Sequence, residues 1–375
     1  MEYIFVELSI TDLIELIDHD NIDLNPEYQR NFIWSPKDQS ELIDTILKGY
    51  PLPSFFMYDG GANKEMVDGQ QRSKTIYRFI KGDITSSKET GRVFFQSFAD
   101  SERILNYKLP FVIIVSNEKK ETLRDFYVLI NKKGKNLNIP EVHKSEFFDT
   151  NFMKLANSVL DYQNFIDLNL FKEVTATRMN DRDYVQELLV YLKLGIRDKK
   201  TDVVKIFEED IDEIEFNELK ERFESIIDII KNFNNIEPIS KTRYKQKNDF
   251  YTLFCFVDKN IDQDINLFNY QYKTLLILNG RDNEGRQFIR PTNEDCESLR
   301  EYARNCVTQS NSKEARDKRL AFFNSILKNK NYKENEIFID VWRYLSTIYG
   351  FEKINLVKKG EYELMDIEPL NHNLF

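Results

Sequence analysis

The stretch Val67-Asp68-Gly69-Gln70-Gln71-Arg72 decides the fold, because an apolar strand ends there and a helix begins there. Residues 64–67 form the second strand of a predicted hairpin that turns through Asp-Gly-Gly, and the helix continues to about Lys81. The first turn of a helix presents unpaired amide groups and the positive end of the helix dipole. This strand-to-helix junction therefore predicts a place where a phosphate group binds.

The residues before the junction mix short strands with amphipathic helices. Residues 3–8 are predicted to form a strand, and residues 12–18 carry apolar side chains at helical spacing. Ser35 is a good N-cap and Pro36 a good first helical residue, because Ser accepts a bond from an orphan amide and Pro has no amide to leave unpaired. The helix that they begin ends at Gly49. Further strands of a small mixed sheet are predicted at residues 54–58, 64–67, 92–95 and 109–115.

From residue 118 onward, apolar residues recur every three or four positions, which is typical of helices. Helices are predicted near residues 118–131, 139–149, 179–194, 216–233, 243–259, 293–307, 313–328 and 335–349. The fold class is therefore α+β, with a small mixed sheet in a domain at residues 1–117 and a large all-helical domain at residues 118–375. The exact boundary is predicted to lie between residues 117 and 150.

The composition is that of an ordinary globular chain. With 375 residues, of which 41% are hydrophobic, the chain can build two or three cores, and 12 Gly and nine Pro argue against a disordered or fibrous class. The longest apolar runs are far shorter than the ~20 residues that a bilayer requires. We expect no membrane segment and no export signal, and three cysteines without a paired spacing fit a reducing cytoplasm.

The net charge of −10 means that the chain as a whole does not attract nucleic acid, so a DNA contact needs a local basic patch. One predicted helix and one Gly-containing loop supply candidate DNA contacts. The alternatives are a solvated basic surface for both segments and, within the helix, a core face formed by the interleaved apolar residues. The candidates are Lys313, Arg316 and Arg319 in the helix and Arg281, Arg286 and Arg290 in the loop.

Each residue type at the junction suits the handling of a phosphate. Gly69 lets a ligand approach the main chain closely. Arg72 offers a permanently charged fork of donors, and Asp68 can hold Mg²⁺ through a triphosphate or position a water molecule. Gln70 and Gln71 can both donate and accept hydrogen bonds. The alternative is a plain helix start in which Arg72 makes a structural ion pair.

A second polar cluster, Pro26-Glu27-Tyr28-Gln29-Arg30, lies in a segment without regular periodicity and is followed by Phe32 and Trp34. A guanidinium among aromatic residues is expected to stack on a ring or to reach a shared anion, because a partly buried arginine needs a partner. The alternative is a folded loop pinned by its aromatic side chains.

These two clusters carry a resemblance to a known family. The run NPEYQRNFIWSPKDQSELIDTILKGYPLPSFFMY, followed by MVDGQQRSKTIYRF, resembles the N-terminal domain of GmrSD-type modification-dependent restriction enzymes, whose relatives include the SspE phage-defence sensor. The resemblance covers roughly residues 5–150. It implies a ParB/sulfiredoxin-like fold, with nucleotide binding and hydrolysis at the DGQQR motif and with Gln29 and Arg30 facing the same pocket. Residues that resemble a later element of the family are Asn131, Gly134 and Leu137.

Two departures from the family pattern bear on function. Family members usually continue DGQQR with Leu-Thr-Thr, whereas this chain has Ser73-Lys74-Thr75, and Lys74 adds a positive charge that could favour a phosphate or point to solvent. Many relatives carry a C-terminal HNH nuclease, which needs a catalytic His and further metal ligands. The three His in the sequence, His19, His143 and His372, do not fit such a site, so no HNH domain is expected. A reactive sulfiredoxin cysteine and a Walker A motif are not found in the sequence either.

The leading hypothesis is a bacterial anti-phage or restriction-type defence protein that binds and hydrolyses a nucleoside triphosphate with Mg²⁺ at the DGQQR pocket and senses or contacts DNA. DNA cleavage would then come from the same domain or from a separate nuclease subunit. One alternative is a non-hydrolysing nucleotide- or DNA-binding regulatory module. Another is a compact nuclease or base-processing enzyme that uses the same pocket on DNA. The nucleotide, the DNA signal and the oligomeric state, with a homo-oligomer as one alternative, stay open at this stage.

Overall fold

The structure is a computed structural model that describes residues 1–26, 32, 34–61, 64–115, 120–131, 146–171, 180–198, 203–350 and 354–369. The chain divides into two compact units. Unit 1 comprises Met1–Phe148 with Glu173–Asn180, and unit 2 comprises Asp149–Lys172 with Asp181–Phe375. The two domains predicted from the sequence, at residues 1–117 and 118–375, stay a prediction.

Unit 1 is built on a mixed sheet, as the sequence predicts, but the sheet has four strands rather than the five predicted. Its strands lie in the order β1-β4-β2-β3, with β2 parallel to β4 and the other two pairs antiparallel. The parallel pair requires a crossover, and the chain between β3 and β4 supplies it with helices. The strands are β1 (Tyr3–Ser9), β2 (Phe55–Asp59), β3 (Lys64–Asp68) and β4 (Lys108–Ile114).

Helices cover the sheet of unit 1. They are α1 (Ile10–Asp18), α2 (Pro36–Leu47), α3 (Gln70–Lys81), α4 (Ser101–Leu105) and α5 (Lys120–Asn131). The predicted N-cap at Ser35 is confirmed: its hydroxyl accepts from the Asp38 amide, and the Asp38 carboxylate accepts from the Ser35 amide in return. The rings of Phe55 and Phe111 stack at 5.0 Å in the core, where side chains from α2 and α3 also pack. This core fixes β2 beneath the start of α3.

The strand predicted at residues 92–95 is wrong. Arg92 has a φ of +54°, which is incompatible with a strand, and Phe95–Ser97 form a short 3₁₀ helix. The amide of Val93 donates to the hydroxyl of Ser86, and the carbonyl of Val93 accepts from the amide of Ser86. The backbone groups of this segment are therefore satisfied locally rather than by a neighbouring strand.

Unit 2 is mostly helical in the part of the chain that the structure describes. The helices are α6 (Asn151–Leu160), α7 (Gln163–Ile166), α8 (Asn180–Leu194), α9 (Val203–Glu209), α10 (Glu213–Asn232), α11 (Lys247–Asp258), α12 (Ile265–Leu278), α13 (Glu297–Val307), α14 (Lys313–Leu327) and α15 (Glu336–Tyr349). The sequence analysis anticipated α8, α10, α11, α13, α14 and α15 but missed α6, α7, α9 and α12. The helix predicted at residues 139–149 lies largely outside the described residues.

A two-stranded antiparallel hairpin, β5 (Leu356–Lys359) and β6 (Tyr362–Met365), follows α15 and was not predicted. The Tyr270 hydroxyl on α12 donates to the Met365 carbonyl, which ties β6 to the helices of unit 2. Within the described residues, every helix is too short or too polar to cross a bilayer.

Candidate functional site

The junction between β3 and α3 depends on a glycine in an unusual conformation. Gly69 has a φ of +110°, and a Cβ placed there would lie 2.5 Å from the Cδ1 atom of Phe55. A side chain at this position would therefore strain the backbone and collide with the core ring. Gly69 supplies no side-chain cap, and the first turn of α3 has no acidic residue. The positive end of the α3 dipole is thus not offset by a carboxylate of its own first turn.

The Arg72 guanidinium lies inside the junction and is held by internal partners. Its NH2 group donates to the Asp68 carboxylate at 2.8 Å and to the Ser54 carbonyl at 3.1 Å, and its NH1 group donates to the Pro53 carbonyl. The guanidinium also lies over the Phe55 ring, 4.3 Å from its centroid. Burial lowers the pKa of Arg72, and the neighbouring Asp68 carboxylate opposes that shift. Two of the three guanidinium nitrogens are therefore engaged by the protein itself.

Gln70 and Gln71 are buried and bind the two ends of one segment. The Gln70 amide donates to the Leu24 carbonyl at 2.6 Å, while the Gln71 carbonyl oxygen accepts from the Trp34 amide at 3.2 Å. Their side chains also bond to each other, at 3.0 Å. The first turn of α3 thereby anchors the residues on either side of the segment that contains Gln29 and Arg30. Gln29 and Arg30 themselves lie outside the described residues.

Lys74 extends the same network one turn along α3. Its Nζ atom donates to the Asn25 side-chain oxygen, which also accepts from the Gln70 amide at 3.3 Å. Burial lowers the pKa of Lys74, and the charge of Asp23 opposes that shift. The Ser73 hydroxyl is fully buried and has no hydrogen-bond partner within the described part of the chain. Lys74 is therefore half-buried at the edge of the junction rather than free in solvent.

Asp68 is a partly exposed carboxylate that belongs to no cluster of metal-ligating residues in the described part of the chain. One of its oxygens binds Arg72, and its side chain remains 37% exposed. Over the described ranges, no three His, Cys, Asp or Glu residues form a group that could hold a metal ion. Mg²⁺ that arrives with a triphosphate needs one or two protein carboxylates, because phosphates and waters complete its shell. Asp68 fits that requirement.

Helix α5 covers the far side of β3. Leu123 and Tyr127 pack against Val67 and Ile114, so the strand that ends at Asp68 is buried on this face as well. Asn131 is the last residue of α5, and Gly134 and Leu137 lie outside the described residues.

Two of the candidate DNA contacts on α14 are inside unit 2. Arg316 is 4% exposed: it binds the Glu187 carboxylate, donates to the Arg197 carbonyl at 3.0 Å and lies over the Tyr251 ring. Arg319 is 1% exposed and donates to the Thr252 hydroxyl at 3.1 Å. Neither guanidinium presents a surface to a DNA phosphate, so the prediction that Arg316 and Arg319 contact DNA is wrong for this structure. Arg316 and Arg319 lie four residues before Leu320 and Phe323 and therefore on the apolar side of the helix. This spacing was the feature of the sequence that could have predicted their burial.

The loop candidates and Lys313 are more accessible than Arg316 and Arg319, but Arg286 and Arg290 are paired with a carboxylate. The Asp282 carboxylate binds Arg286 at 2.9 Å and Arg290 at 3.2 Å. Arg281 donates to the Gly285 carbonyl at 2.7 Å and is exposed, as is Lys313 at the start of α14. Arg281 and Lys313 are therefore the exposed candidates for which the described residues show no ion pair.

Sequence reasoning missed the groups that hold the junction together. The carbonyls of Pro53 and Ser54 bind Arg72, and Asn25 joins Gln70 to Lys74. Only the Pro-x-Pro sequence at residues 51–53 hinted that extended backbone would present free carbonyls there.

Residues 10–104 match the family model of the GmrSD restriction endonuclease N-terminal domain. No curated protein and no solved structure matches the chain. The matched segment runs from α1 to α4 and includes the whole junction described above. The resemblance predicted from the sequence is thereby confirmed for this segment, and it supports a restriction-type role.

Proposed function

We propose that a nucleoside triphosphate binds and is hydrolysed at the β3–α3 junction, and that this reaction is part of restriction or phage defence. The proposal rests on the match of residues 10–104 to the GmrSD N-terminal domain and on the geometry of the junction. One observation carries the proposal. The start of α3 has no side-chain cap and no acid in its first turn, and a glycine that excludes any side chain leads into it. A helix start of this kind binds phosphate oxygens through its amides.

The surrounding residues suit complementary parts in that reaction. Lys74 lies one turn along α3, at the edge of the junction, and can neutralise phosphate charge. Asp68 would hold Mg²⁺, which when bound supplies charge neutralisation between the phosphates. Gln70 and Gln71 are buried and bound to main-chain groups, so we assign them the positioning of the segment that contains Gln29 and Arg30.

A second candidate function is a nucleotide switch without hydrolysis. The observation that favours it is the engagement of Arg72, because both hydrogens of its NH2 group are bound, to Asp68 and Ser54, and one hydrogen of NH1 is bound to Pro53. Fewer of its five donors are therefore left to stabilise new phosphate charge. In this case the nucleotide would change the hydrogen bonds that α3 makes with Leu24 and Trp34 instead of being cleaved.

DNA is the proposed partner of the restriction-type role, with Arg281 and Lys313 of unit 2 as its exposed basic contacts and a separate nuclease subunit as the source of cleavage. A compact nuclease that uses the junction on DNA directly is the remaining alternative. Incubation with modified and with unmodified DNA in the absence of nucleotide separates the two, because only the compact nuclease cuts under those conditions.

The central experiment measures phosphate release from each nucleoside triphosphate, with Mg²⁺ and with or without DNA. Two variants on the same helix form a matched pair: Lys74→Met at the junction and Lys81→Met at the other end of α3, where the lysine makes an exposed ion pair with Asp18. Loss of one charged phosphate contact is expected to lower kcat/KM about tenfold or more in Lys74→Met. Lys81→Met should stay within about twofold, because exposed ion pairs contribute little.

The outcomes distinguish the candidates. The nucleotide switch is favoured if the protein binds nucleotide without releasing phosphate, and if Lys74→Met weakens that binding while Lys81→Met does not. Equal activity in both variants removes the junction as the site. Arg72→Ala is the less clean test, because it also takes away the bonds that hold Asp68, Pro53 and Ser54.

A further inference from the structure

Strand β1 lies at one edge of the sheet of unit 1 and exposes apolar side chains on both of its faces. Tyr3 and Phe5 lie on the same face of the sheet as α5, because Tyr3 opposes Ile114, which packs against α5. Their rings contact each other edge to face at 5.7 Å, yet Tyr3 is 57% and Phe5 76% exposed. Ile4, on the opposite face, is 48% exposed. Adjacent apolar side chains that are exposed in this way indicate a surface for another macromolecule.

The hydrogen bonds to β4 show which backbone groups of β1 point away from the sheet. The Val115 amide donates to the Glu2 carbonyl at 3.0 Å, and the Ile10 amide donates to the Tyr107 carbonyl at 3.1 Å. Even-numbered residues therefore bond to β4 along this register, and odd-numbered residues turn their amide and carbonyl groups outward, because residues of an antiparallel strand alternate in this respect. The outward residues of β1 form its open edge; they are Tyr3, Phe5 and Glu7.

Two further observations agree with this assignment. Pro110 has no amide, and it opposes Glu7, which therefore needs no bond from β4. The amide of Ser9, also an odd-numbered residue, donates to the Asp12 carboxylate at 2.6 Å rather than to β4. Within the described residues, no hydrogen bond reaches the main-chain groups of the open edge. The amides and carbonyls of its three residues are therefore available to a further strand.

The other edge of the sheet is closed by the chain itself. At β3, the Asp23 amide donates to the Lys64 carbonyl at 2.8 Å, and the Met66 amide donates to the Asp23 carbonyl at 2.9 Å. Edge strands that stay open in soluble proteins usually contain a Pro, a Lys or a bulge, which prevents pairing with another chain. β1 has none of these over its seven residues, and Glu7 is its only charged residue. The open edge can therefore pair with a strand of another molecule.

We propose that β1 pairs with β1 of a second copy of this chain in the antiparallel direction, which joins the two four-stranded sheets into one continuous sheet. The open edge is complementary to itself. When the Phe5 residues of the two copies oppose each other, Tyr3 of each copy opposes Glu7 of the other, and all the outward amides and carbonyls form hydrogen bonds. On the other face, Ile4 of each copy opposes Val6. The inference does not depend on nucleotide hydrolysis at α3.

Charge favours both this register and this kind of partner. No carboxylate opposes another when Phe5 opposes Phe5, whereas a register centred on Glu7 places two like charges opposite each other. Exposed aromatic rings can also stack on the bases of single-stranded nucleic acid, but such sites have a basic groove beside the rings. β1 contains no Lys or Arg, and Glu7 would repel the phosphates. A second copy is therefore the better match to this edge.

The first experiment is sedimentation velocity of the full-length protein over a range from about 1 µM to about 100 µM. An interface built on one pair of strands is small, so we expect an equilibrium between monomer and dimer with a micromolar dissociation constant. A sedimentation coefficient that rises with concentration from the monomer value to the dimer value supports the proposal. A protein that stays monomeric over the whole range overturns it.

Two substitutions block the open edge and leave the bonds to β4 in place. Phe5→Pro removes an outward amide, which an edge strand tolerates, and Phe5→Lys places two like charges opposite each other. Each should raise the dissociation constant of the dimer at least about tenfold. Phe94→Lys is the matched control, because Phe94 is an exposed phenylalanine of unit 1 outside the sheet, and it should change that constant less than about twofold. A dimer that persists in both Phe5 variants, or that is also lost in the control, overturns the proposal.

Disulfide formation tests the register without relying on a loss of binding. A Cys306→Ser background removes the one cysteine that is not buried. In Phe5→Cys the two Cα atoms that carry the new thiols are about 5.5 Å apart across the strands, within the range of a disulfide. In Tyr3→Cys they are about 14 Å apart along the strands, which is beyond that range. Oxidation should therefore link Phe5→Cys into a covalent dimer on a denaturing gel and leave Tyr3→Cys monomeric, and any other pattern overturns the proposed pairing.

Discussion

Buried arginines occur in both units, but they differ in what surrounds them. In unit 1, Arg72 is paired with Asp68, whose side chain is 37% exposed. In unit 2, Arg316 is paired with the buried Glu187, and Arg319 has hydrogen bonds but no ion pair among the described residues. The Arg72–Asp68 pair lies at the edge of a junction that solvent reaches, whereas the Arg316–Glu187 pair is buried between packed helices. A basic side chain in a candidate segment therefore says little about function until its partner's exposure is known.

The difference has an energetic basis. A charge removed from water needs a partner, and removal of that partner leaves an uncompensated ion in a medium that solvates it poorly. The penalty is largest where neither water nor a side-chain movement can compensate. The following substitutions test whether the two units differ in this way, from the largest expected effect to the smallest.

Glu187→Gln should destabilise unit 2 strongly. The substitution keeps the shape of the side chain but leaves the Arg316 guanidinium without its carboxylate in the interior, which costs about 3–5 kcal/mol of unfolding free energy. The exposed pair on the same helix, Glu314 with Lys318, provides the control, and Glu314→Gln should cost less than about 1 kcal/mol. Urea unfolding followed by Trp342 fluorescence, in a Trp34→Phe background, reports on unit 2. Equal losses in the two variants would show that Arg316 is not buried as described.

Gly69→Ala should destabilise unit 1 by roughly 3 kcal/mol. The left-handed backbone costs about 1–2 kcal/mol for a residue with a Cβ, and the clash with the Phe55 ring adds an overpacking penalty of about 1–3 kcal/mol. Gly82→Ala at the other end of α3 is the control, because its φ is also positive but its new Cβ would meet only the flexible end of Gln96. That variant should cost about 1 kcal/mol by Trp34 fluorescence in a Trp342→Phe background. A smaller effect at Gly69 than at Gly82 would mean that the junction is loosely packed.

The sequence was most informative where a single residue type has one structural explanation. Ser35 with Pro36 located the start of α2, and Gly69 located the start of α3 to within one residue. The hairpin of β2 and β3 followed from the Asp-Gly-Gly turn between them. In these places local chemistry and tertiary packing agree, which is the condition under which a sequence predicts its structure.

The sequence was least informative where burial depends on distant parts of the chain. Arg316 belongs to the core because Glu187, 129 residues earlier, supplies a carboxylate. Arg72 is engaged by carbonyls 18 and 19 residues away, which no spacing rule reveals. The hairpin of β5 and β6 was missed because its two short strands lie between polar turns without clear alternation.

Asp68→Asn tests directly whether Arg72 depends less on its carboxylate partner than Arg316 does. It removes the charged partner of Arg72, as Glu187→Gln does for Arg316, but here solvent reaches the pair and the carbonyls of Pro53 and Ser54 remain. We expect a loss of about 1 kcal/mol in the unfolding free energy of unit 1. If Asp68 holds the Mg²⁺ of a bound triphosphate, the same variant loses phosphate release far beyond what this small loss of stability explains. A loss of 3 kcal/mol or more, roughly the size expected for a fully buried pair, would remove the distinction between the units.

The smallest expected effects concern two aspartates whose pKa values shift in opposite directions. Burial alone would raise the pKa of Asp44 on α2, but hydrogen bonds from Ser87 and Thr90 outweigh it and lower that pKa. Burial raises the pKa of Asp181 on α8, against the weaker effects of the Arg182 amide and charge. Asp44 therefore stabilises unit 1 above its unfolded pKa of about 3.9, and this contribution is lost as the pH falls through the lower folded value. Asp181 instead destabilises unit 2 at neutral pH, and this cost is relieved as the pH falls through its raised folded value.

Substitution by asparagine should reveal the two signs. At pH 7, Asp44→Asn should lower the unfolding free energy of unit 1 by about 0.5–1 kcal/mol and flatten its fall in acid, because the weaker acceptor no longer titrates. Asp181→Asn should leave the unfolding free energy of unit 2 at pH 7 unchanged or slightly higher. It should also remove the stability that the unsubstituted unit regains when Asp181 becomes protonated in acid. Urea titrations at pH 7 and near pH 3.5, each followed by the tryptophan of the unit concerned, give both differences. Because the two variants are expected to move in opposite directions, a general effect of charge removal on a chain with a net charge of −10 cannot produce both results.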